Sequence, residues 1–316
     1  MTERGPSLGR REVLWATGSL AALAPAIIPA RAGEAAQSCI AAQTQWSEPP
    51  AQRPVEAGPR QLGYARLFAW DTGGAGEAIV FLHPMTGSHA VWPYQQPVFA
   101  DAGYRVIGYS RRGFFQSDPR PADGGADDAD DLRALLDHLG IARAHLVASA
   151  AGGFLGLEFT RRFPGRVLTL VLASTMALAG DPVLRSMRNR LVPEGWDALP
   201  AEFRELGPSY RAANPAGVRR WMALERQARH GPHPARGATG ASPALDPATL
   251  PRLLCLTGDA DLYAPPALMR ACASRIRGAE LAVVAEAGHA LFWEQPDAFN
   301  RTVLSFLRRG TAAAAP

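Results

Sequence analysis

The sequence predicts an α/β protein with a mostly parallel central sheet covered by helices on both faces. Three observations carry this. Short apolar β-like runs alternate with stretches of helical periodicity. The chain has 316 residues, 47% hydrophobic and 20% charged, enough to bury a full core. The rhythm breaks only once, between about residues 176 and 250, where some 70 residues carry helical fragments and the aromatic residues Trp196, Phe203, Tyr210 and Trp221. An interruption that long must pack as a lid or cap, lined by these aromatics or merely held together by them.

The β-like runs are YARLFAW (64–70), AIVFL (78–82), YRVIGY (104–109), AHLVAS (144–149), LTLVLAS (168–174), RLLCLTG (252–258) and ELAVVAE (280–286). Helical patterns fall at about 91–102, 127–139, 152–163, 265–276 and 296–308. The turn DTGGAGE before AIVFL predicts an antiparallel hairpin there. The acidic run ADDADD before LRALLDHLG is expected at a helix N-terminus, where negative charge is favourable.

Composition excludes several functions. All 33 basic residues are Arg, so lysine Schiff-base chemistry and a lysine-bearing phosphate loop are absent. A net charge of +4 with acids interspersed does not suit nucleic-acid binding. Cys39, Cys255 and Cys272 lack metal-ligand spacing, and Cys255 reads as a buried small hydrophobe. His230 and His233 lie in a Gly- and Pro-rich loop, so no metal site is expected, and no cofactor either. The expected partner is a small-molecule substrate.

Residues 7–33 carry twin arginines, Arg10 and Arg11, a modestly apolar segment from Val13 to Ile28, and Ala30-Arg31-Ala32 as a cleavage site. This resembles a twin-arginine export signal, which implies a periplasmic or secreted mature protein cut after Ala32 and no permanent membrane span. Residues 33–58 read as a linker and 311–316 as a disordered tail. A core is expected over 59–175 and 251–310, with a cap over 176–250.

Chemistry in such sheets gathers at the carboxyl ends of the strands. There stand LHPMTGS after 78–82, YSRRGFFQSD after 104–109, HLVASAAGGFLGLEF across 145–159, LCLTGDADLYAPP and EAGHALFWEQPDAF. Together, in this order, they resemble the α/β-hydrolase family over about residues 60–310, with its helical cap between the sixth and seventh core strands. The resemblance implies His289 as general base, Asp261 as the acid that orients it (Asp259 less so), and backbone N–H groups of Met85 and Ala151 as the oxyanion hole. His83 and Thr86 are expected at the pocket.

The nucleophile is the departure. The residues two before and two after it must be small, because strand and helix meet there in strained geometry. Residue 150 gives Ala148 and Gly152, both small; residue 149 gives Val147 and Ala151, a poor fit. The apex is therefore expected at Ala150, with Ser149 as the alternative nucleophile. Pro84 and Phe115 replace family glycines, and Ser110 replaces an Asp. Three readings stay open: an enzyme of hydrolase or lyase type that uses His289 without a Ser nucleophile, either activating water or abstracting a proton from a small apolar carbonyl compound such as an ester or lactone; a non-catalytic binder of a small apolar ligand; and an ordinary Ser hydrolase acting through Ser149.

Overall fold

The computed structural model describes residues 37–40, 46, 48–120, 125–176, 178, 180–192, 194–229 and 250–311. The export signal, His230 and His233 lie outside the described residues. The described strands are β1 (Gln37–Ile40), β2 (Glu56–Gln61), β3 (Arg66–Asp71), β4 (Ala78–Leu82), β5 (Arg105–Tyr109), β6 (Ala144–Ser149), β7 (Val167–Ala173), β8 (Arg252–Gly258) and β9 (Glu280–Val284). They form one sheet in the order β1-β9-β8-β7-β6-β4-β5-β3-β2. Only the β2–β3 and β3–β5 pairings are antiparallel; β1 and β4 to β9 run parallel.

The helices are α1 (Gln96–Asp101), α2 (Asp128–His138), α3 (Ala151–Arg162), α4 (Pro182–Leu191), α5 (Ala201–Glu205), α6 (Pro208–Ala213), α7 (Pro215–Gln227), α8 (Pro266–Ala273), α9 (Leu291–Glu294) and α10 (Pro296–Thr311). Strand periodicity explains why both faces need cover. In β4, Ala78, Val80 and Leu82 point into one core with Leu132, Leu135 and Phe159 of α2 and α3. Ile79 and Phe81 point into the other, with Phe99 of α1 and Phe299 and Phe306 of α10. Each of these buried Val, Leu, Ile and Phe side chains contributes about 1.5–3 kcal/mol. The fold is the α/β-hydrolase fold, with α4 to α7 inserted between β7 and β8.

Two sequence expectations need correction. The stretch expected to be a linker (33–58) contains β1 and opens β2, edge strands without the apolar run of a central one; Pro59 is tolerated in β2 because its only neighbour is β3. The expected hairpin is not formed either. β3 pairs with β2 and β5, and β5 lies between β3 and β4. The chain leaves β3 still alongside β5, with Thr72 N–H donating to the Val106 carbonyl at 3.0 Å and the Thr72 hydroxyl accepting from Val106 N–H at 2.8 Å. It then crosses the start of β5 so closely that a Cβ on Gly76 would collide with the Gly103 carbonyl. Of the glycines of DTGGAGE, Gly76 serves this crossing, while Gly73 and Gly74 take positive φ in the turn before it.

The acidic run does start a helix. Asp127 caps α2, its side chain accepting from Ala129 and Asp130 N–H at 3.0 Å each, while the Asp130 side chain accepts from Asp127 N–H at 3.2 Å. Asp131 is buried against Arg112, 2.6 Å away. At the other end, α10 extends to Thr311, one residue into the expected tail. No helix among the described residues is long and apolar enough to cross a membrane.

Candidate active site

β6 delivers the chain to a sharp turn at Ala150, which has φ 50° and ψ −114° before α3 begins at Ala151. A non-glycine residue there costs on the order of 1–3 kcal/mol and persists only where the surroundings enforce it. They do so through the main chain. Ala150 N–H donates to the Ala173 carbonyl at 2.9 Å, and the Ala150 carbonyl accepts from Gly153 N–H and the Thr175 hydroxyl, both at 2.9 Å. Gly152 is obligatory because a Cβ would collide with the Leu82 carbonyl. Ser149 is still strand, paired with Ala173 and 1% exposed. Its hydroxyl has no hydrogen-bond partner among the described residues. The strained apex is Ala150.

The expected acid–base pair stands on the loops after β8 and β9. Asp261 is fixed by Tyr263 and Ala264 N–H groups, which donate to Oδ1 at 2.8 and 3.0 Å, and by the Thr257 hydroxyl at 3.3 Å from Oδ2. His289 Nδ1 lies 2.9 and 3.1 Å from the two carboxylate oxygens. Asp259 is exposed instead and accepts from Ala287 N–H at 3.3 Å. Burial would raise the Asp261 carboxyl, but the His289 charge and these donors outweigh it and hold the group low. Burial likewise pulls His289 down; Asp261, Glu205 and Glu294 push it up to about 9.

The loop expected to supply an oxyanion hole is a turn closed by Gly87 N–H donating to the Pro84 carbonyl at 3.2 Å, with Met85 and Thr86 at its centre. Ala151 opens α3, so its N–H has no carbonyl one turn earlier in the helix. His83 is fully buried, and both ring nitrogens are engaged. Nε2 accepts from Arg111 N–H at 3.1 Å, leaving Nδ1 to donate to the Pro84 carbonyl at 2.8 Å. Burial and the Arg111 charge keep the ring neutral. His83 therefore shapes the loop and offers no ring nitrogen to a ligand.

Phe115, where the family has Gly, packs between Phe68 and His89, and its N–H reaches the Ala228 carbonyl of the cap at 2.8 Å. Of the cap aromatics, Trp196, Tyr210 and Trp221 are buried, whereas Phe203 is exposed under Arg211. Trp196 packs edge-on against Tyr263, whose ring centroid is 4.3 Å from that of His289. Cys255 is fully buried and free. Among the described residues no cluster of three His, Cys, Asp or Glu side chains has the arrangement to hold a metal ion.

Sequence reasoning missed two acids. Glu205 ends α5 in the cap, and its Oε2 accepts from the Thr86 hydroxyl at 3.3 Å. Glu294 accepts from Gly207 N–H at 2.6 Å and Gly288 N–H at 3.0 Å. Burial raises both carboxyls, that of Glu294 to about 8. Thr86 is 119 residues from Glu205, and no local pattern marks such a pairing.

With that geometry in place, similarity to known proteins is informative. A family model described as alpha/beta hydrolase fold matches residues 77–247, more than half of the chain. The chain belongs to the α/β-hydrolase family. A second model, described as TAP-like protein, matches residues 224–315 of this α/β hydrolase. The chain is 31% identical over 275 residues to the 2-hydroxy-6-oxononadienedioate/2-hydroxy-6-oxononatrienedioate hydrolase of Burkholderia vietnamiensis (strain G4 / LMG 22486), covering 77% of this chain and 91% of that one. It is 28% identical over 271 residues to the 2-hydroxy-6-oxo-6-phenylhexa-2,4-dienoate hydrolase of Comamonas testosteroni, covering 77% and 92%. A thermophilic esterase from Thermogutta terrifontis, solved with malate bound, superposes with TM-score 0.66 at 26% identity, covering 82% of this chain and 99% of that one. This α/β hydrolase is thus an enzyme of the hydrolase class.

Proposed function

We propose that the chain is an exported hydrolase of small, apolar carbonyl compounds, such as an ester, a lactone or an activated C–C bond, working without a covalent Ser intermediate. One observation carries this reading: Ala150 occupies the strained apex while the His289–Asp261 pair remains intact. Alanine has no atom that can attack a carbonyl, so the nucleophile must be water. In the neutral form of His289, which gains population as pH rises toward 9, Asp261 holds the proton on Nδ1 and leaves the Nε2 lone pair free. Nε2 takes a proton from water as the water oxygen bonds to the carbonyl carbon. The oxyanion formed is met by the Met85 and Ala151 N–H groups, which do not depend on a side chain at residue 150.

The 2-hydroxy-6-oxo compounds for which the two related hydrolases are named support a small carbonyl substrate. Tyr263 beside His289, with Trp196 packed against it, supports an apolar one. The twin-arginine pattern at 7–33 supports export.

The test is a screen of the periplasmic protein against esters, lactones and β-diketones. Turnover is expected to fall by about 1000-fold in His289→Ala and to stay within about twofold in Ser149→Ala. Loss in Ser149→Ala with stoichiometric fluorophosphonate labelling of that residue would overturn the mechanism. Recovery of the chain from the cytoplasm with residues 1–32 attached would overturn export.

A further inference from the structure

Direct attack by water moves one proton to His289, and the imidazolium so formed is one source of the proton needed later. When the tetrahedral adduct collapses, the departing oxygen must be protonated, and a catalytic Ser would not have met that need in any case. The cap places a carboxyl beside His289 and Asp261. Glu205 is 7% exposed, accepts from the Thr86 hydroxyl of the oxyanion loop at 3.3 Å, and bonds with the Tyr263 phenol, whose ring lies against His289.

Its position is set by the main chain. The Glu205 carbonyl accepts from Ala290 N–H at 2.9 Å, and Glu294 joins Gly207 N–H at 2.6 Å to Gly288 N–H at 3.0 Å. Residues 205–207 of the cap are thereby fastened to the residues on either side of His289. Such fastening suits a group that must sit within a fraction of an ångström of a reacting atom.

We propose that Glu205 is a second catalytic residue of this site, the general acid that protonates the departing oxygen of a small ester or lactone. This rests on the hydrolytic reading above. His289 takes one proton from water as the new C–O bond forms. The adduct then re-forms its carbonyl, the bond to the departing oxygen breaks, and the Glu205 carboxyl gives that oxygen its proton. The His289 imidazolium returns its proton to the Glu205 carboxylate, so the pair begins the next turnover unchanged. Burial, which favours the neutral carboxyl, suits the role. The ionisable groups around Glu205 are His289, Asp261, Tyr263 and Arg204, with Glu294 facing His289 from α9.

A general acid matters only when the leaving group needs its proton. In Glu205→Gln, kcat/KM on a methyl ester is expected to fall by about 100-fold, while the p-nitrophenyl ester of the same acid stays within about threefold. A purely structural role would lower both alike. Equal losses, or none, would overturn the proposal while leaving water activation by His289 standing. A second measurement needs no variant: across a series of leaving groups, wild-type kcat/KM should change by less than about tenfold from p-nitrophenyl to methyl. A steep dependence would overturn the assignment. Turnover of neither ester, with His289→Ala indistinguishable from wild type, would remove the hydrolytic reading and this inference with it.

Discussion

The turn after β6 and the loops after β8 and β9 are ordered in opposite ways. At Ala150 the backbone keeps its strained geometry although the side chain that gives such a turn its chemistry is absent. At Asp261 and His289 the side chains keep their partnership, and the backbone serves to deliver them. The contrast shows that the two kinds of order have separate causes. The turn is enforced by main-chain bonds to Ala173, Gly153 and Thr175 and by the absence of a Cβ at Gly152, none of which requires a hydroxyl at residue 150. The pair is enforced by charge and by hydrogen bonds to ionised groups, which are stronger than neutral ones.

The largest expected effect comes from restoring what the turn lacks. Ala150→Ser changes one side chain on a backbone already in position, so fluorophosphonate labelling should go from none to stoichiometric. Ester turnover should gain a burst phase, the sign of an accumulating acyl-enzyme. The product should be trapped by mass spectrometry on the peptide containing residue 150. Absence of label in a folded protein would mean that the Cβ of residue 150 does not face His289, and the parallel between the two regions would fail.

Restoring chemistry tests the side chain; Gly152→Val tests the backbone. Its side chain would be driven into the Leu82 carbonyl, which belongs to a central strand and cannot give way cheaply. Overpacking of this kind costs about 1–3 kcal/mol, and thermal or denaturant melts should show a loss in the upper part of that range. A neutral result would remove the steric argument that places the apex at residue 150.

That steric argument was legible in the sequence because it depends on neighbours two residues away. The same holds for His289 and Asp261, each of which follows the end of a strand within a short recognisable run. The central strands were legible because burial on both faces demands continuous apolar runs. β1 and β2 were not, since an edge strand can contain Gly58 and Pro59 and remain exposed. DTGGAGE misled because glycine serves a hairpin and a close crossing equally well. Glu205 left no trace at all: its partners Thr86, Tyr263 and His289 come from three other loops, and only the docking of the cap assembles them.

The smallest expected effect separates the two regions by pH. The turn after β6 is held by neutral groups and should be indifferent to it. The His289 region should not be. Burial lowers His289, but the surrounding acids raise it to about 9 from 6.5, so its stabilisation is complete below pH 6.5 and is lost as pH rises through 9. Burial raises Glu294 from 4.5 to about 8, so the folded chain holds a proton there that the unfolded chain releases, and stability again falls as pH rises through that interval. Asp261 has the opposite sign, held low, and weakens the fold only in acid as pH falls through its folded value. The melting temperature should therefore be highest in mild acid and decline steadily from about pH 6 to about pH 9. His289→Ala should flatten the upper part of that decline, whereas Ala150→Ser should leave its slope unchanged. A flat or rising profile in the wild type would mean that the His289 imidazolium does not gain from its acidic neighbours, and that the contrast between the two regions is one of shape alone.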